Sequence, residues 1–395
     1  MKRKEAIIRG LKSFDYLLAL MAIAVCVFGV MMIYTSANHA GMPLHVQMSF
    51  GHLWQLQRGH VITGSVLMIA FACIDYRFIT RFYLFIYGFL MILLLALFIM
   101  GPDPVTGTAR WLPIPIPGLG ELSLQPSEFA KIFMIIFLAK LLDAKKENFN
   151  KLLWLGLILI AIGVPVFFVA TQPSLSAALV IAFASLVVLF TAGLKLRYII
   201  IGVVVVASVL TFLWLDLQRE EPLLLYRIMQ PYQVMRIRIN FYPELCEDAF
   251  RQIQNSRRAI AAGGLTGRGF MNNEIYLILA HNDTIFAVVA EQFGFVGSAT
   301  LVGAILLMVV KCILIALRAI DMQGRLIAAG VAGMLLFETF VHVGVVTGML
   351  PATGMPFPFV SYGGSMIWVH MIAIGMVINV GLKREVDEFD EELII

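Results

Sequence analysis

Long apolar runs are the feature that most constrains how this chain can fold. Ten runs can be marked, and most approach or exceed the about 20 residues with which an α-helix crosses the hydrocarbon core of a bilayer. Hydrophobic residues make up 60% of the 395 positions and charged residues 14%, whereas soluble domains average about 45–50% and about 25%. We therefore predict one all-α polytopic integral membrane domain over residues 1–395 and exclude a soluble enzyme. The runs lie at roughly 15–36, 59–75, 79–100, 125–142, 151–170, 174–193, 198–216, 284–317, 325–350 and 366–382.

Basic residues predict the orientation of these spans. Short cytoplasmic loops retain Lys and Arg, and an even number of spans places both termini on one side of the membrane. If the N-terminus is inside, the short outer segments and their rims hold only Arg58, Arg110 and Lys131. The inner segments then hold Lys2, Arg3, Lys4, Arg9, Lys12, Arg77, Arg81, Lys140, Lys145, Lys146, Lys151, Lys195, Arg197, Arg318, Arg325, Lys383 and Arg384. We predict that both termini are cytoplasmic, and a net charge of +4 gives no reason to expect nucleic acid as a partner.

One long polar segment, from about 217 to 283, falls outside the membrane between the seventh and eighth runs. Its basic residues are all arginines, whose planar fork of donors fits phosphate oxygens two at a time. Either the loop binds phosphate, with Arg227 and Arg268 as candidates, or it is an ordinary outer loop balanced by seven acidic residues. The arginines are Arg219, Arg227, Arg236, Arg238, Arg251, Arg257, Arg258 and Arg268.

The segment around the fourth run holds the first candidate site. It contains Arg110 and Trp111, then a Pro/Gly-rich stretch, then Pro126, Glu128 and Lys131. The proline and the glutamate are ordinary signals of a helix start. Lys131 lies about one turn inside the span, and an ionisable residue there is a functional candidate. Glu128 and Lys131 can pair at i,i+3, although a rim ion pair with a snorkelling lysine explains them equally well.

A second group of candidates precedes the eighth run. Four glycines between Gly263 and Gly269 would let the backbone approach a phosphate closely, but no Walker-type lysine accompanies them. Asp283 follows His281 and stands where a long helix begins. It is either the N-cap of that helix or a base that takes a proton from a substrate hydroxyl, with Glu291 two turns further on.

Residues 350–365 predict a loop within the membrane. Their three prolines cannot occupy a regular helix, and non-helical backbone at membrane depth survives only where protein buries it or where it lines a wet cavity. We predict a re-entrant loop in which Ser361 and Tyr362 offer hydroxyls. Glu338 and His342, at i,i+4 in the ninth run, are interpreted as a structural or gating pair.

With these motifs the sequence resembles the SEDS family of bacterial peptidoglycan glycosyltransferases, which includes RodA, FtsW and SpoVE. The resemblance covers nearly the whole chain, including the ten spans and the large outer loop. The segment from Thr353 to Phe359 and the start Phe14-Asp15-Tyr16 resemble the RodA branch more than the FtsW branch. The other motifs are Arg110-Trp111, Gln125-Pro126-Ser127-Glu128-Phe129-Ala130-Lys131, the Gly263 to Gly269 cluster, His281-Asn282-Asp283 and Pro358-Phe359-Val360-Ser361-Tyr362-Gly363-Gly364-Ser365.

The sequence also departs from the family pattern. The family usually has Gln-Pro-Asp-Leu-Gly at the sixth run, where Ser174 and Ser176 replace the Asp and the Gly. On its own, this segment predicts only a capped helix start. Ala261-Ala262 stands in place of a Gly-Ser pair, and Thr284 in place of an aromatic residue. These departures remove a carboxylate from position 174 but leave Asp283 in place.

The resemblance implies that the chain polymerises lipid II outside the bacterial cytoplasmic membrane, for cell elongation and shape, and releases undecaprenyl pyrophosphate. It aligns Asp283 with the family's essential aspartate, the catalytic base, and suggests that positive side chains help the pyrophosphate to leave. It leaves room for a divalent cation, Mg²⁺ or Mn²⁺, held partly by substrate phosphates, and implies no organic cofactor. The predicted substrate-binding residues are Arg110, Trp111, Glu128, Lys131, Arg227, Arg268, His281, Ser361 and Tyr362.

Family behaviour implies lipid II, the nascent glycan, the bilayer and a class B penicillin-binding protein (a transpeptidase) as partners. Two other functions stay open on the sequence. A lipid II flippase or other transporter would use Lys131, Glu338 and His342 to line a route through the membrane. A non-catalytic scaffold for a cell-wall transpeptidase would tolerate the changes at Ser174 and Ser176.

Overall fold

The computed structural model is a bundle of α-helices with one small β-hairpin. It describes residues 14–38, 50–101, 110–116, 120–172, 174–219, 225–228, 234–235, 238, 242, 247–277 and 280–392. The helices are α1 (Tyr16–Ala37), α2 (Leu53–Cys73), α3 (Tyr76–Arg81), α4 (Tyr83–Met100), α5 (Pro126–Ala144), α6 (Leu152–Thr171), α7 (Leu175–Thr191), α8 (Leu196–Leu217), α9 (Leu225–Ile228), α10 (Glu247–Gly263), α11 (Ile285–Arg318), α12 (Met322–Val346) and α13 (Gly364–Glu392), and the strands are β1 (Leu112–Ile116) and β2 (Gly120–Leu124).

Eight helices in the described part of the chain are long and apolar enough to cross a membrane. They are α1, α2, α4, α6, α8, α11, α12 and the part of α13 from Gly364 to Lys383. Two more helices coincide with predicted runs: α5, which carries charged residues, and α7, which is apolar but only 17 residues long. Each of the ten predicted runs thus overlaps a helix. The chain is an all-α polytopic membrane protein.

The predicted start of the second span was wrong by about two turns. We placed it at residue 59, after the polar Gln57 and Arg58, but α2 begins at Leu53. Gln57 is fully buried, and its amide donates to the carbonyl of Ser361 at 3.1 Å and accepts from the N–H of Gly363 at 3.1 Å. A polar residue with its hydrogen bonds satisfied inside the bundle does not end a membrane helix.

Helices α12 and α13 form the centre of the bundle, because most of their residues are buried between Gln323 and Val380. Close packing here depends on glycines, which have no side chain. A Cβ at Gly330 of α12 would lie 2.8 Å from side-chain atoms of Ile135 and Val188, and one at Gly375 of α13 would lie 2.3 Å from the carbonyl oxygen of Met68. Small residues at helix contacts are the usual means of association in lipid, where apolar burial drives helices together only weakly.

The Pro/Gly-rich stretch before the fourth span is a β-hairpin, which the sequence did not predict. Strands β1 and β2 pair antiparallel, with Leu112 opposite Leu124 and Ile116 opposite Gly120. Pro113 and Pro115 are two positions apart, so their backbone nitrogens face the same edge of the strand. A two-stranded hairpin tolerates them because residues of that parity can face its open edge, where no ladder donor is required. The hairpin leads directly into α5.

The glycine cluster between Gly263 and Gly269 packs against the start of α11. Four backbone hydrogen bonds of 2.9–3.1 Å join residues 264–269 to residues 291–296. Gly294 interrupts the helical geometry of α11 with φ +65°, and a Cβ at Gly267 would lie 2.1 Å from the carbonyl oxygen of Gln292. These glycines let two backbone segments approach each other, whereas their approach to a phosphate stays a prediction.

Three ion pairs, the distal pairs, join helices at the end where α2 and α11 finish and α1 and α12 begin. Asp15 pairs with Lys311 at 2.9 Å, and Arg77 pairs with Asp321 at 2.9 Å. Asp75 pairs with Lys383 at 2.8 Å. Each side chain in these pairs keeps between 22% and 34% of its surface exposed.

Candidate active site

A cavity of about 250 Å³ lies at the opposite end of the bundle, where α5, α7, α11 and α13 begin. Each of these helix starts contributes residues, and so do the segment before β1 and the loop that precedes α13. Six of the ten sequence-predicted site residues line this cavity: Arg110, Trp111, Glu128, Lys131, Asp283 and Tyr362. The others on its surface are Gln125, Ser174, Ser176, Ala177, Val180, Asn282, Thr353, Gly354, Met355, Pro356, Gly363 and Met366.

Asp283 belongs to a short segment that leads into α11. The helix begins at Ile285 with Thr284 as its N-cap, so the alternative explanation of Asp283 as the N-cap was wrong. The segment is held by the loop before α13: Ser361 Oγ donates to the carbonyl of Asn282 at 2.7 Å, and the Tyr362 N–H donates to the carbonyl of His281 at 2.9 Å. Asp283 therefore precedes the N-cap and lies on the cavity wall.

The loop before α13 is buried in protein, as expected for non-helical backbone at membrane depth. Phe357, Phe359 and Val360 are fully buried. Phe359 has φ +65°, a left-handed conformation that is uncommon for a bulky residue. A Cβ at Gly29 of α1 would lie 2.8 Å from the Cα of Val360, so α1 closes directly over this loop.

Three of the other predicted residues, Ser361, His281 and Arg268, do not line the cavity. Ser361 is fully buried, and its hydroxyl also accepts the N–H of Phe357 at 2.8 Å, so it shapes the loop. His281 packs between the rings of Phe50 and Tyr362, with centroids 4.9 Å and 6.0 Å away, and burial lowers the pKa of its imidazole to about 4.

The two loop arginines have different outcomes. Arg268 pairs with Glu274 at 2.6 Å, on the segment that packs against α11, which accounts for its position away from the cavity. The side chain of Arg227 lies outside the described residues. Glu291, two turns after Asp283, is buried and accepts the N–H groups of Glu274 and Ile275 at 2.8 and 3.1 Å.

Beneath the cavity, four ionisable residues from three helices form the central cluster: Glu128, Lys131, Glu338 and His370. Lys131 Nζ lies 2.8 Å from a Glu128 carboxylate oxygen and 2.6 Å from Glu338 Oε1. The other oxygen of Glu338 lies 2.6 Å from His370 Nε2. The predicted pairing of Glu338 with His342 was wrong, because His342 Nδ1 contacts the carbonyl of Met355 at 2.7 Å instead.

The sequence reasoning missed His370. It stands inside the tenth apolar run, and the rule that marks an ionisable residue within a span as a functional candidate would have found it. No local pattern connects it with its partner, however, because His370 is 32 positions from Glu338, on another helix.

The central cluster has no net charge. Both ring nitrogens of His370 face acceptors: Nδ1 lies 2.7 Å from the carbonyl of Met366, and Nε2 faces Glu338. A carbonyl cannot donate, so Nδ1 carries a hydrogen, and a second hydrogen lies between Nε2 and the carboxylate. Whether His370 or Glu338 binds that second proton, the net charge of the pair is zero. Lys131 and Glu128 balance each other as well.

Comparison with known proteins identifies the chain. The FtsW/RodA/SpoVE family, described as cell cycle proteins, matches residues 15–386. The chain belongs to this family.

Relatives from both branches of the FtsW/RodA/SpoVE family resemble this member along most of their length. The probable peptidoglycan glycosyltransferase FtsW of Trichlorobacter lovleyi is 31% identical over 384 residues, which cover 94% of this chain and 95% of that protein. The peptidoglycan glycosyltransferase MrdB of Escherichia coli (strain K12) is 34% identical over 334 residues, 83% and 85% of the two chains. The peptidoglycan glycosyltransferase RodA of Treponema pallidum is 30% identical and covers 95% and 99%.

Solved structures share the fold of this family member. The rod shape determining protein RodA of Thermus thermophilus superimposes with a TM-score of 0.65 at 25% identity, over 94% of this chain and 97% of that one. A chain from a structure described as the coordination of polymerization and crosslinking by a peptidoglycan synthase complex gives a TM-score of 0.74 at 26% identity, over 94% and 98%. The chain is thus a polytopic member of a family of peptidoglycan glycosyltransferases.

The cavity of this family member does not fit a resident metal. Within the described residues, no group of three or more His, Cys, Asp and Glu side chains could hold a metal ion. Glu128, one of the two carboxylates on the cavity wall, is bonded to Lys131. A divalent cation here would need phosphate oxygens of a substrate for most of its ligands.

Proposed function

We propose that this chain is a peptidoglycan glycosyltransferase that polymerises lipid II into glycan strands. In the proposed reaction, Asp283 takes the proton from an acceptor hydroxyl while the hydroxyl oxygen attacks the anomeric carbon of a lipid-linked sugar. The bond from that carbon to the pyrophosphate oxygen breaks, and undecaprenyl pyrophosphate leaves with the bonding electrons. The observation that carries this proposal is that Asp283, Arg110 and Lys131 line one cavity, in a chain that belongs to this family.

The chemistry matches the groups in the cavity. General base catalysis requires a carboxylate within reach of the proton that it abstracts, and Asp283 lies on the cavity wall and outside the central cluster. A departing pyrophosphate requires donors that act more strongly as negative charge develops. Arg110 lies on the same wall outside the central cluster, and we assign to it the larger share of this task.

We propose that the cavity faces the outside of the bacterial cytoplasmic membrane. The basic residues of the short loops favour a cytoplasmic location for both termini. The distal pairs lie at that predicted inner end, and the cavity lies at the other, where the long outer segment enters α11. A lipid-linked substrate would reach such a cavity from the outer leaflet.

We further propose a role in cell elongation with a class B penicillin-binding protein as partner. The motifs around Thr353 and Asp15 resemble the RodA branch, and one similar chain comes from a peptidoglycan synthase complex. Identities to FtsW and RodA relatives are close to each other and do not separate the branches. Complementation separates them: this chain should restore rod shape to a bacterium that lacks its RodA, and should not restore division to one that lacks FtsW.

The deciding experiment measures polymerisation of lipid II by purified protein, with and without the transpeptidase partner. Asp283→Asn should lower the rate at least about 100-fold, the lower range for loss of a general base, without changing the thermal unfolding temperature. The matched control is Asp321→Asn, which makes the same substitution at a partly exposed aspartate of the distal pairs, away from the cavity, and should retain the rate. Full activity of Asp283→Asn would overturn the assignment.

The same assay separates the alternatives. Translocation of lipid II across liposomes without polymer would favour a transporter, and the absence of both activities in the presence of the partner would favour a scaffold. We propose that Mg²⁺ or Mn²⁺ enters bound to the phosphates of the substrate rather than at a protein site. EDTA should then lower the rates of the wild type and of Asp321→Asn by the same factor.

A further inference from the structure

The start of α7 forms an unusual part of the cavity wall. Ser174 occupies the N-cap position, where a serine side chain ordinarily accepts a hydrogen bond from the first turn. Here it makes no such bond, although its carbonyl accepts the N–H of Ala178 at 3.1 Å as the helix begins. Ser174, Ser176 and Ala177 all line the cavity. The first turn of this 17-residue helix therefore presents uncapped N–H groups at the cavity.

Both serine side chains are buried and unpartnered. Ser174 keeps 8% of its surface exposed and Ser176 keeps 7%. Neither hydroxyl has a hydrogen-bond partner among the residues that the structure describes. Both residues line the cavity, so a ligand there that supplies acceptor atoms would satisfy the two hydroxyls.

The charges around the cavity favour an anion at this place. The central cluster has no net charge, so Lys131 attracts an anion less than its position suggests. Arg110 lies on the cavity wall outside that cluster. A helix N-terminus carries about half a positive charge, with N–H groups that point at a bound anion. Arg110 and the α7 start thus supply positive charge for a phosphate, against the single carboxylate of Asp283 on the same wall.

We propose that the first turn of α7, with the hydroxyls of Ser174 and Ser176, binds the pyrophosphate oxygens of the lipid-linked substrate. This inference rests on the proposed function, because it names the part of the same cavity that holds the leaving group. Hydroxyl and backbone donors match phosphate oxygens, each of which can accept several hydrogen bonds.

The test measures binding of inorganic pyrophosphate to the full-length protein in detergent by calorimetry. Ser174→Asp places a carboxylate at the helix start and should weaken binding about tenfold or more, the scale of one hydrogen bond to a charged group. Ser174→Ala with Ser176→Ala should weaken it about threefold to tenfold. The matched control is Ser185→Ala, a buried serine further along α7 that does not line the cavity and should bind within about twofold of the wild type.

Two further probes identify the source of the anion. The first probe is the dipeptide D-alanyl-D-alanine, which offers a carboxylate. The second is phosphatidylglycerol in mixed micelles. Neither should displace pyrophosphate. Displacement by either one, no binding to the wild type, or unchanged binding to Ser174→Asp would overturn the proposal.

Polymerisation is measured separately on the same variants. If the wild type polymerises lipid II and Ser174→Asp raises KM with little change in kcat, both proposals stand. If polymer forms but the serine variants bind pyrophosphate as the wild type does, the subsite proposal is wrong and the proposed function stands. If serine-dependent binding occurs without polymer, the proposed function fails and the subsite survives.

Discussion

At the cavity end of the bundle, the Lys131 side chain is only 2% exposed and touches two carboxylates that are almost as well shielded. At the other end, Lys311 is 32% exposed and touches one, that of Asp15. The two lysines lie in apolar helices and have similar contact distances, but water reaches only the second. Breaking an ion pair that water reaches costs the protein little stability. Removing one member of a buried pair costs more, because it leaves a buried charge without compensation.

This difference separates two uses of charge in one membrane protein. The distal pairs lie near a helix boundary, where long side chains can reach the interface. The central cluster lies under the cavity and fixes the direction of Lys131 through contacts from α5, α12 and α13. Because a buried ion pair contributes little net stability, the central cluster is better explained by the need to hold a cation beside the cavity than by stability.

The largest effect should come from Lys131→Met. This change leaves the carboxylates of Glu128 and Glu338 together in a buried site, and the free energy of unfolding should fall by about 3–5 kcal/mol. Lys311→Met, the matched control, should lower it by less than about 1 kcal/mol. Chemical unfolding of both variants in the same detergent measures the difference. Equal losses would contradict the distinction between the two ends.

The next effect is a pH dependence that compares the buried His370 with the half-buried His281. His370 shares a proton with Glu338, but His281 packs between Phe50 and Tyr362, and burial lowers the pKa of its imidazole from 6.5 to about 4. Between these pH values the unfolded chain binds a proton that the folded chain does not. Stability contributed by neutral His281 is therefore present above pH 6.5 and is lost as the pH falls toward 4, by at most about 3 kcal/mol.

Thermal unfolding from pH 4 to pH 7 tests this sign, with His281→Gln as the comparison because glutamine does not titrate. The wild type should lose more stability than the variant as the pH falls. Parallel curves would show that His281 is solvated in the folded protein.

A smaller effect should follow Glu338→Gln. Without the carboxylate, His370 can release the shared proton, and Lys131 keeps Glu128, so the central cluster stays neutral. The expected loss is about 1–2 kcal/mol, the cost of weakened hydrogen bonds rather than of a bare charge. The same unfolding experiment measures it beside Lys131→Met. A loss as large as that of Lys131→Met would show that His370 keeps its proton.

Much of the fold and part of the site could be predicted from the sequence because both depend on local patterns. Apolar runs locate membrane helices, and the three prolines near residue 356 predict the loop that the structure buries. Lys131 was a candidate because it is ionisable and lies about one turn inside a span, and Tyr362 because it lies in that loop, whereas the catalytic role of Asp283 came from the family resemblance. These signals need only the residues themselves and the thickness of a bilayer.

The remaining features depend on which helix faces meet. Lys131 and Glu338 are 207 positions apart, and lipid-facing and packing surfaces are similarly apolar, so hydropathy does not reveal the contact. For the same reason, the sequence does not reveal the backbone groups of Ser361 and Gly363 that bind Gln57 inside the bundle. In the sequence, Ser174 has the pattern of an ordinary helix start. The structure adds that Ser174 makes no capping hydrogen bond and lines the cavity.

The smallest effect should come from Asp321→Asn, which removes one charge of the distal pairs and keeps the geometry. Asp321 caps α12 by accepting the N–H of Gly324 at 2.7 Å, and it accepts the Tyr76 hydroxyl at 2.9 Å. Asparagine caps helices as well as aspartate does, so only the exposed pair with Arg77 is lost, at a cost below about 1 kcal/mol. Asp321→Ala also loses the cap and should cost about 1 kcal/mol more. If asparagine destabilised as much as alanine, the charge rather than the cap would join the helices here, and the distal pairs would resemble the central cluster.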